Sequence, residues 1–215
     1  MSLSSRAFCP LGLALASCLS LPSAHPPSCT PQTAAAALPP PPPPTYTPLD
    51  FSRSKLDHHL LHASLSGPGM LEHYSLSLSS DKRSLRGALT LGKRACGHPQ
   101  YIHGGAIAAI LDDCMGVLFL SSGEGTGFTA NLTVNYRRPI PASAPLRVEV
   151  SITHVEVGKS GAKKVFLVGR LLSQAGGAQE VLYAEATSIF IVKHIAGMVS
   201  KEALLSSIQS ALGLK

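Results

Sequence analysis

One stretch of the chain, residues 101–120, constrains the fold more than any other. It reads YIHGGAIAAILDDCMGVLFL, and from residue 106 onward it is apolar or small on every side except at Asp112 and Asp113. About 15 such residues form roughly four helical turns, which is too short to span a membrane. A helix that is apolar all round is a buried one. The sequence therefore predicts a long central helix inside the protein.

The two adjacent aspartates are the unusual feature of this helix. Burial of a carboxylate costs several kcal/mol unless the site compensates it, so an acid kept here is a candidate for chemistry. Asp112 and Asp113 lie about 100° apart around the helix and cannot share one environment. Asp112 falls on a stripe of small residues with Gly105, Ala109 and Gly116, where another surface must pack closely. Asp112 is therefore the preferred catalytic carboxylate. Asp113 is left as a hydrogen-bonded partner, a solvent-reaching helix edge or a second acid.

The start of the helix is a second candidate feature. Gly104 and Gly105 leave backbone N–H groups free at the positive end of the helix dipole and allow a ligand to approach closely. His103 precedes them, where it is either a plain N-terminal cap or a residue beside the reacting group. An electrophile-polarising terminus is thus predicted about two turns before Asp112.

Three motifs in a fixed order resemble a known family. His-Gly-Gly at residues 103–105 is followed by Asp112, then by FTANL at residues 128–132 and NYRRPIP at residues 135–141. This combination is similar to the hotdog-fold acyl-CoA thioesterases of the PaaI-like type. It is most similar to the eukaryotic thioesterase-superfamily members that join HGG to TANL and Y-K/R-R-P. The resemblance covers roughly residues 72–193.

The resemblance implies a catalytic set for hydrolysis of acyl-CoA to a free acid and CoA. Asp112 would act as general base or as nucleophile, and the Gly104 N–H would stabilise the oxyanion. His103 would lie beside the thioester carbonyl. The Thr129 hydroxyl, supplied by the other subunit of a homodimer or dimer of dimers, would orient the water or the carboxylate. Many relatives carry a small neutral residue where Asp113 stands.

The same resemblance, together with charge, implies a set of substrate-binding residues. Coenzyme A carries a pyrophosphate and a 3′-phosphate, and a basic rim near strand ends would suit both. Ordinary solvated surface is the alternative for each basic residue. No metal or redox cofactor is implied. The expected substrate-binding residues are Gly105, Asn131, Arg137, Arg138, Lys163 and Lys164.

Strand patterns surround the central helix. A hairpin is expected over residues 74–91, where leucines alternate with serine before a Ser-Ser-Asp-Lys-Arg turn. Four further strands are expected at residues 128–137, 146–157, 164–173 and 181–193, because β-branched residues and partial alternation recur between Pro- or Gly-containing separators. The predicted fold class is α+β. It is a hotdog fold, in which a curved antiparallel sheet of about six strands wraps the helix.

The chain before the expected domain has a different composition. Residues 1–49 contain no acid and one arginine, and they end in a run of prolines, so they cannot bury a core and are expected to be disordered or extended. Serine enrichment without acids favours an organelle transit peptide. Scarcity of arginine favours the chloroplast over the mitochondrion. A secretory signal is the alternative, because a short apolar run follows Arg6.

Three further segments complete the expected domain organisation. Residues 50–71 should be a short amphipathic helix and a linker. They contain His58, His59 and His62, which are expected to face solvent, with a metal cluster as the alternative. The thioesterase domain should occupy residues 72–195. Residues 196–215 should end the chain as an amphipathic helix, used for packing or for an interface.

Charge and motif spacing separate the remaining function classes. The net charge of +6 is mildly basic and too dispersed to indicate a nucleic-acid partner, and no transmembrane segment is expected after the leader. A hotdog dehydratase for 3-hydroxyacyl thioesters is one alternative. However, its best-known pattern has a histidine a few residues after the aspartate, and none follows Asp112 until His154. A non-catalytic acyl-CoA-binding module is the other alternative, although it would not need Asp112.

Overall fold

The computed structural model of this 215-residue chain describes residues 43–50, 59–159, 161–175 and 179–192. The predicted transit peptide up to residue 42, the predicted C-terminal helix and His58 lie outside the described residues. The domain boundaries proposed for those segments therefore stay predictions.

Nine strands form most of the described chain. They are β1 (Tyr46–Pro48), β2 (Leu71–Ser79), β3 (Ser84–Leu91), β4 (Cys96–His98), β5 (Tyr101–Ile102), β6 (Gly127–Tyr136), β7 (Pro145–Val157), β8 (Lys163–Ser173) and β9 (Leu182–Val192). Seven of them form one antiparallel sheet in the order β1-β2-β3-β7-β8-β9-β6, in which β7, β8 and β9 form a meander and β6 pairs with β9 at one end. The other two, β4 and β5, form a separate ribbon before the helix.

The predicted central helix is α1 (Gly104–Ser121), which packs against β3, β6, β7, β8 and β9. Its apolar side chains and the inward side chains of the sheet form one hydrophobic core. At Gly169 of β8 the sheet approaches α1 closely, because an added Cβ would lie 2.6 Å from Cε of Met115. The α+β hotdog architecture is confirmed. The main sheet has seven strands instead of about six, because β1 was not expected.

The length of α1 also exceeds the expectation. At 18 residues, it is the one helix among the described residues whose length and composition would allow it to cross a membrane. Half of it is buried against the sheet, as expected for the core helix of a folded domain.

Strand β1 corrects the predicted boundary of the leader, since Tyr46–Pro48 falls inside residues 1–49. It pairs with the end of β2, where Tyr46 lies opposite Ser79. The Tyr46 hydroxyl shares a 2.9 Å hydrogen bond with Ser84, and the Arg86 guanidinium lies 4.7 Å from the centroid of the Tyr46 ring. Tyrosine and threonine favour a strand here, and their pairing covers an edge of β2 that would otherwise be open.

The segment before β2 differs from the expected amphipathic helix. In its described part, a single π-helical turn (Leu60–Ser64) follows His59, which caps it. The expectation that His59 and His62 face solvent is wrong for His62, whereas His59 is partly exposed. His62 is nearly buried, with 10% of its side chain exposed, because both imidazoles turn toward Asp113 of α1.

Candidate active site

The N-terminus of α1 is capped by His103. Its extended backbone ends the preceding ribbon, and its Nδ1 accepts a 2.8 Å hydrogen bond from the Gly105 N–H. The plain capping role considered from the sequence is therefore the role that the structure shows. The Gly104 N–H belongs to the first turn, where the helix itself offers no preceding carbonyl to accept it.

Tyr136, to which the sequence assigned no role, contacts this terminus. Tyr136, the last residue of β6, donates a 3.0 Å hydrogen bond from its hydroxyl to the carbonyl oxygen of Gly104. Its ring also lies 3.4 Å from the position that a Cβ on Gly104 would occupy. Tyr136 belongs to the NYRRP motif, which was the available signal for this contact.

Asp112 and Thr129 form the second half of the candidate site. The Thr129 hydroxyl donates a 2.9 Å hydrogen bond to Oδ1 of Asp112. Asp112 is half-buried and opens into a cleft of about 400 Å³, which is also lined by Ala108, Ala109 and Leu132. Thr129 therefore holds the carboxylate of Asp112 at the wall of this cleft.

A β-bulge at Ala130 determines which side chains of β6 face the helix. Thr129 pairs with Phe190, and Asn131 pairs with Ile189, the neighbour of Phe190 in β9. Two positions on β6 therefore correspond to one on β9. Thr129 therefore shares the inward face with the buried Phe190, and Asn131 points to the outer face. Asn131 is exposed and accepts a 3.3 Å hydrogen bond from Thr133, on the opposite face from Asp112, so its place at the substrate stays a prediction.

The predicted origin of the Thr129 hydroxyl is also corrected. The family resemblance implied that this hydroxyl reaches Asp112 of the opposite subunit. The structure joins Thr129 and Asp112 within one chain, because β6 lies alongside α1 and its bulge keeps Thr129 on the inward face. The hydroxyl and the carboxylate are therefore one unit.

Asp113 faces a different set of neighbours and is a hydrogen-bonded partner, one of the three roles left open. The Tyr74 hydroxyl donates a 2.6 Å hydrogen bond to its Oδ2 and lies 3.4 Å from Sγ of Cys114. Only 7% of the Asp113 side chain is exposed, so Asp113 is a deeply buried acid of α1. Burial, then the neighbouring Cys114 and Asp113, raises the pKa of Tyr74 well above its usual value, which keeps its hydroxyl as a donor.

Two histidines complete the surroundings of Asp113. Nε2 of His59 lies 3.5 Å from Oδ1 of Asp113, and Nε2 of His62 lies 3.5 Å from Oδ2. Burial lowers the pKa of His59; the nearby Asp113 opposes that shift and His62 adds to it. The His62 ring packs edge-on against Tyr74, with 5.4 Å between centroids.

The predicted basic rim is divided between two ends of the sheet. Arg137 and Arg138 follow β6 beside the N-terminus of α1. Lys163 and Lys164 begin β8 and pair with the end of β9, which lies opposite the start of β6. A ten-residue strand of roughly 30 Å separates the two pairs, so they do not form a single rim within one chain.

Two of these cations already have protein partners. Arg137 forms an ion pair with Glu185 on the outer face of the sheet, and Lys163 forms one with Glu124 after the end of α1. Arg138 is exposed at the same end as Gly104. Of the four predicted phosphate ligands, Arg138 is the one best placed to act beside the helix terminus.

A second cleft runs from the start of α1. It has a volume of about 310 Å³, and its walls are mostly apolar side chains from β2, β3 and the segments before them, among them Leu65, Met70 and Leu91. His103 and Gly105 lie at one side of it. Leu60 and Ala109 line both this cleft and the Asp112 cleft, so the two clefts are neighbours along α1.

The chain is similar to known thioesterases over part of its length. Residues 99–159 match the family model described as "Thioesterase superfamily". Acyl-coenzyme A thioesterase THEM4 of Mus musculus is 36% identical over 95 residues, which are 44% of this chain and 37% of that protein. THEM4 of Xenopus laevis is 33% identical over 97 residues, which are 44% of this chain and 39% of that protein.

The chain therefore spans well under half of the length of the curated relatives it matches. Among solved structures, the PaaI protein of E. coli is 16% identical, with 54% of this chain and 76% of that chain covered and a TM-score of 0.45. The sequence of residues 99–159, which contain α1, Asp112, Thr129 and the NYRRP motif, is thus similar to the thioesterase superfamily, as these motifs predicted.

Proposed function

We propose that this protein hydrolyses acyl-CoA thioesters to a free acid and coenzyme A. The observation that carries the proposal is the Asp112 carboxylate, held by Thr129 at 2.9 Å and open to a cleft, on the helix that begins with His-Gly-Gly. Asp112 acts as general base: its carboxylate takes a proton from water, and the water oxygen attacks the thioester carbon. The C–S bond of the tetrahedral adduct then breaks and the CoA thiolate leaves. The proton taken up by Asp112 passes to the thiolate directly or through solvent, which restores the carboxylate. The similarity of residues 99–159 to the thioesterase superfamily supports this reaction class.

The oxyanion donor for each reaction comes from a second copy of the chain. Gly104 precedes Asp112 by eight residues, which is about 12 Å along the helix. In addition, the N–H groups of a first helical turn point away from the helix body, so an oxygen bound there lies roughly 3 Å farther still. A water held by Asp112 cannot attack a carbonyl whose oxygen lies that far away. One site therefore combines Asp112 and Thr129 of one chain with Gly104 of its partner.

The surface of β6 supports this assembly. β6 is the last strand of the sheet and carries two exposed aromatic residues, Phe128 (59% exposed) and Tyr136 (53% exposed). On α1, a Cβ at Gly116 would meet none of the described residues within 4 Å. A two-fold dimer that pairs one β6 with another would cover the strand edge and bring a second backbone to the small residues of α1.

The acyl chain and the CoA phosphates of the substrate would bind at different features, the apolar cleft and Arg138. The apolar cleft of about 310 Å³ at the start of α1 receives the acyl chain, because most of its wall is apolar. Arg138 lies at the same end as Gly104 and binds a phosphate of CoA by a charge-assisted hydrogen bond. The chain that supplies the oxyanion donor thus also supplies the phosphate ligand.

The direct test is release of free thiol from a panel of acyl-CoAs. Wild-type protein should release CoA, whereas Asp112→Asn should lose about 10²- to 10⁴-fold in kcat, because the amide cannot accept a proton. Asp113→Asn is the matched variant, since it changes the neighbouring carboxylate and should keep most of the activity if it folds. Thiol release by Asp112→Asn above a tenth of the wild-type rate would refute the role of Asp112. A dehydratase or a binding module would release no thiol.

A further inference from the structure

A second cluster of polar side chains lies on α1, and thioester hydrolysis does not use it. It consists of His59, His62 and Asp113, each of which offers one ligand atom within 4.8 Å of the others. The cluster joins the π-helical turn before β2 to the middle of α1. Asp113 and His62 are nearly buried, with 7% and 10% of their side chains exposed, and His59 is more open at 37%.

The distances in the cluster fit metal ligation better than direct hydrogen bonding. Each imidazole Nε2 lies 3.5 Å from an oxygen of Asp113. A charge-assisted N–H···O bond would measure about 2.7–2.9 Å. With zinc bonds of about 2.0–2.2 Å, neighbouring ligand atoms of a tetrahedral centre lie roughly 3.3–3.5 Å apart. The two nitrogen–oxygen separations, one to each oxygen of the carboxylate, match that spacing, and the three ligand atoms lie within 4.8 Å of one another.

The surroundings of Asp113 also have the form expected around a metal ligand. The Tyr74 hydroxyl donates to Oδ2 at 2.6 Å, which fixes the carboxylate in the orientation in which it faces both imidazoles. A buried carboxylate is costly unless compensating charge or hydrogen bonds surround it. The Tyr74 hydroxyl supplies part of that compensation, and a divalent cation held between the carboxylate and the two imidazoles would add to it.

We propose that His59, His62 and Asp113 bind one divalent transition-metal ion of the zinc type, and that this ion holds the turn at residues 60–64 against α1. Two imidazoles and a carboxylate are a donor set that suits zinc, and water would complete the tetrahedron. Ligation through Nε2 would place the ring proton of His59 on Nδ1, so the 3.4 Å capping bond from the His62 N–H would be given up. The role is structural, because a single helical turn has little stability of its own.

The consequence for the candidate active site is one of shape. His59, Leu60 and Leu61 form a wall of the cleft into which Asp112 opens. Fixing the turn to Asp113 would therefore fix that wall. The ion would lie beside the thioester site, with Asp113 directed to the metal and Asp112 to the substrate.

The test is a calorimetric titration with ZnCl₂ of the full-length protein, which is first treated with a chelator and is kept in the presence of a reductant. Wild-type protein should bind one equivalent at this site. His59→Ala should weaken binding at least about tenfold, and Tyr74→Phe, which keeps all three ligands, should weaken it about 10- to 100-fold. His73→Ala is the matched control, because His73 is an exposed histidine of β2 outside the cluster and should change nothing.

Two further measurements keep the result interpretable. Co²⁺ absorption should show tetrahedral nitrogen and oxygen ligation without the thiolate bands that Cys9, Cys18 or Cys29 would produce. Hydrogen exchange at residues 60–65 should slow when Zn²⁺ is added to wild type and not when it is added to His59→Ala. His59 is the variant position of choice because its side chain is partly exposed, so its loss leaves the core intact. Equal Zn²⁺ affinity in wild type and in the His59→Ala/His62→Ala double variant would overturn the proposal, as would the absence of saturable binding.

Discussion

Complementation between two inactive variants tests whether each active site is built from two chains. The first variant is Asp112→Asn, which lacks the base. The second is Gly104→Pro, which lacks the N–H at the first helical position, where proline is well tolerated because its fixed φ suits a helix start. His103, which precedes it, already has the extended backbone that a residue before proline prefers. Gly104→Ala is the control for Gly104→Pro, since it keeps the N–H and its Cβ would lie at an ordinary 3.4 Å from Tyr136.

The expected recovery follows from the proposed geometry. Loss of the base should cost about 10²–10⁴-fold and loss of an oxyanion donor about 10²–10³-fold, so each parent should retain about 1% of wild-type activity or less. In a mixed dimer, one site carries both lesions, and the other combines an intact Asp112 with an intact Gly104. Random pairing makes about half of the dimers mixed, so roughly a quarter of wild-type activity should return. That is a rise of at least about 25-fold.

The pairing of Thr129 with Asp112 supplies an internal control. Because these residues contact each other within one chain, a mixture of Asp112→Asn with Thr129→Ala contains no intact site and should stay at the mean of its parents. The assay is thiol release after subunit exchange, with exchange followed by native mass spectrometry of differently tagged chains. If mixed dimers form and the Asp112→Asn/Gly104→Pro mixture shows no recovery, the two-chain site is refuted. Recovery in the Asp112→Asn/Thr129→Ala mixture would instead show that the hydroxyl crosses between subunits.

Three further predictions follow from the structure. His103→Ala should destabilise the protein by about 1 kcal/mol through loss of the cap to Gly105, whereas His103→Asn should retain most of it, as measured by urea unfolding. Arg138→Ala should raise KM for acyl-CoA several-fold, and Lys163→Ala, at the other end of the sheet, should not; equal effects would contradict the divided rim. A chain that starts at residue 43 should keep its stability, but one that starts at residue 50 should lose roughly 2–4 kcal/mol with the hydrogen bonds of β1, and equal melting temperatures would show that β1 is dispensable.

The central helix could be predicted from sequence because its pattern is local. The apolar run predicts that the helix is buried, and the glycines at its start mark its N-terminus. Six strands were likewise predicted from the alternation of apolar and polar residues. Strand β1 could not be found in this way, because three residues beside a proline run have no periodicity to detect. Their strand exists only because the end of β2 offers a partner.

The pairing of side chains across the site was predictable only in part. Helix geometry alone predicted that Asp112 and Asp113 face different environments, as the structure shows. It could not predict the hydrogen bond that Asp113 accepts from Tyr74, because Tyr74 lies 39 positions away in the sequence. The places of Thr129 and Asn131 depend on one bulge, which leaves no mark in a short motif. Likewise, the register of β6, β8 and β9 separates Arg138 from Lys163, and register is a property of the assembled sheet.

The bulge at Ala130 limits how the length of this strand can change during evolution. Thr129 and Leu132 lie on the same face although three positions separate them, since the extra residue shifts the alternation by one. Deletion of Ala130 would return the strand to regular alternation and still leave Thr129, Leu132 and Tyr136 facing the helix. Deletion of Asn131 would have the same effect, with Ala130 in its place, whereas deletion of any single residue from 132 to 135 would not preserve that inward set. A lineage could thus lose one residue here and keep its core, but it would lose the local twist that directs the threonine hydroxyl to the aspartate.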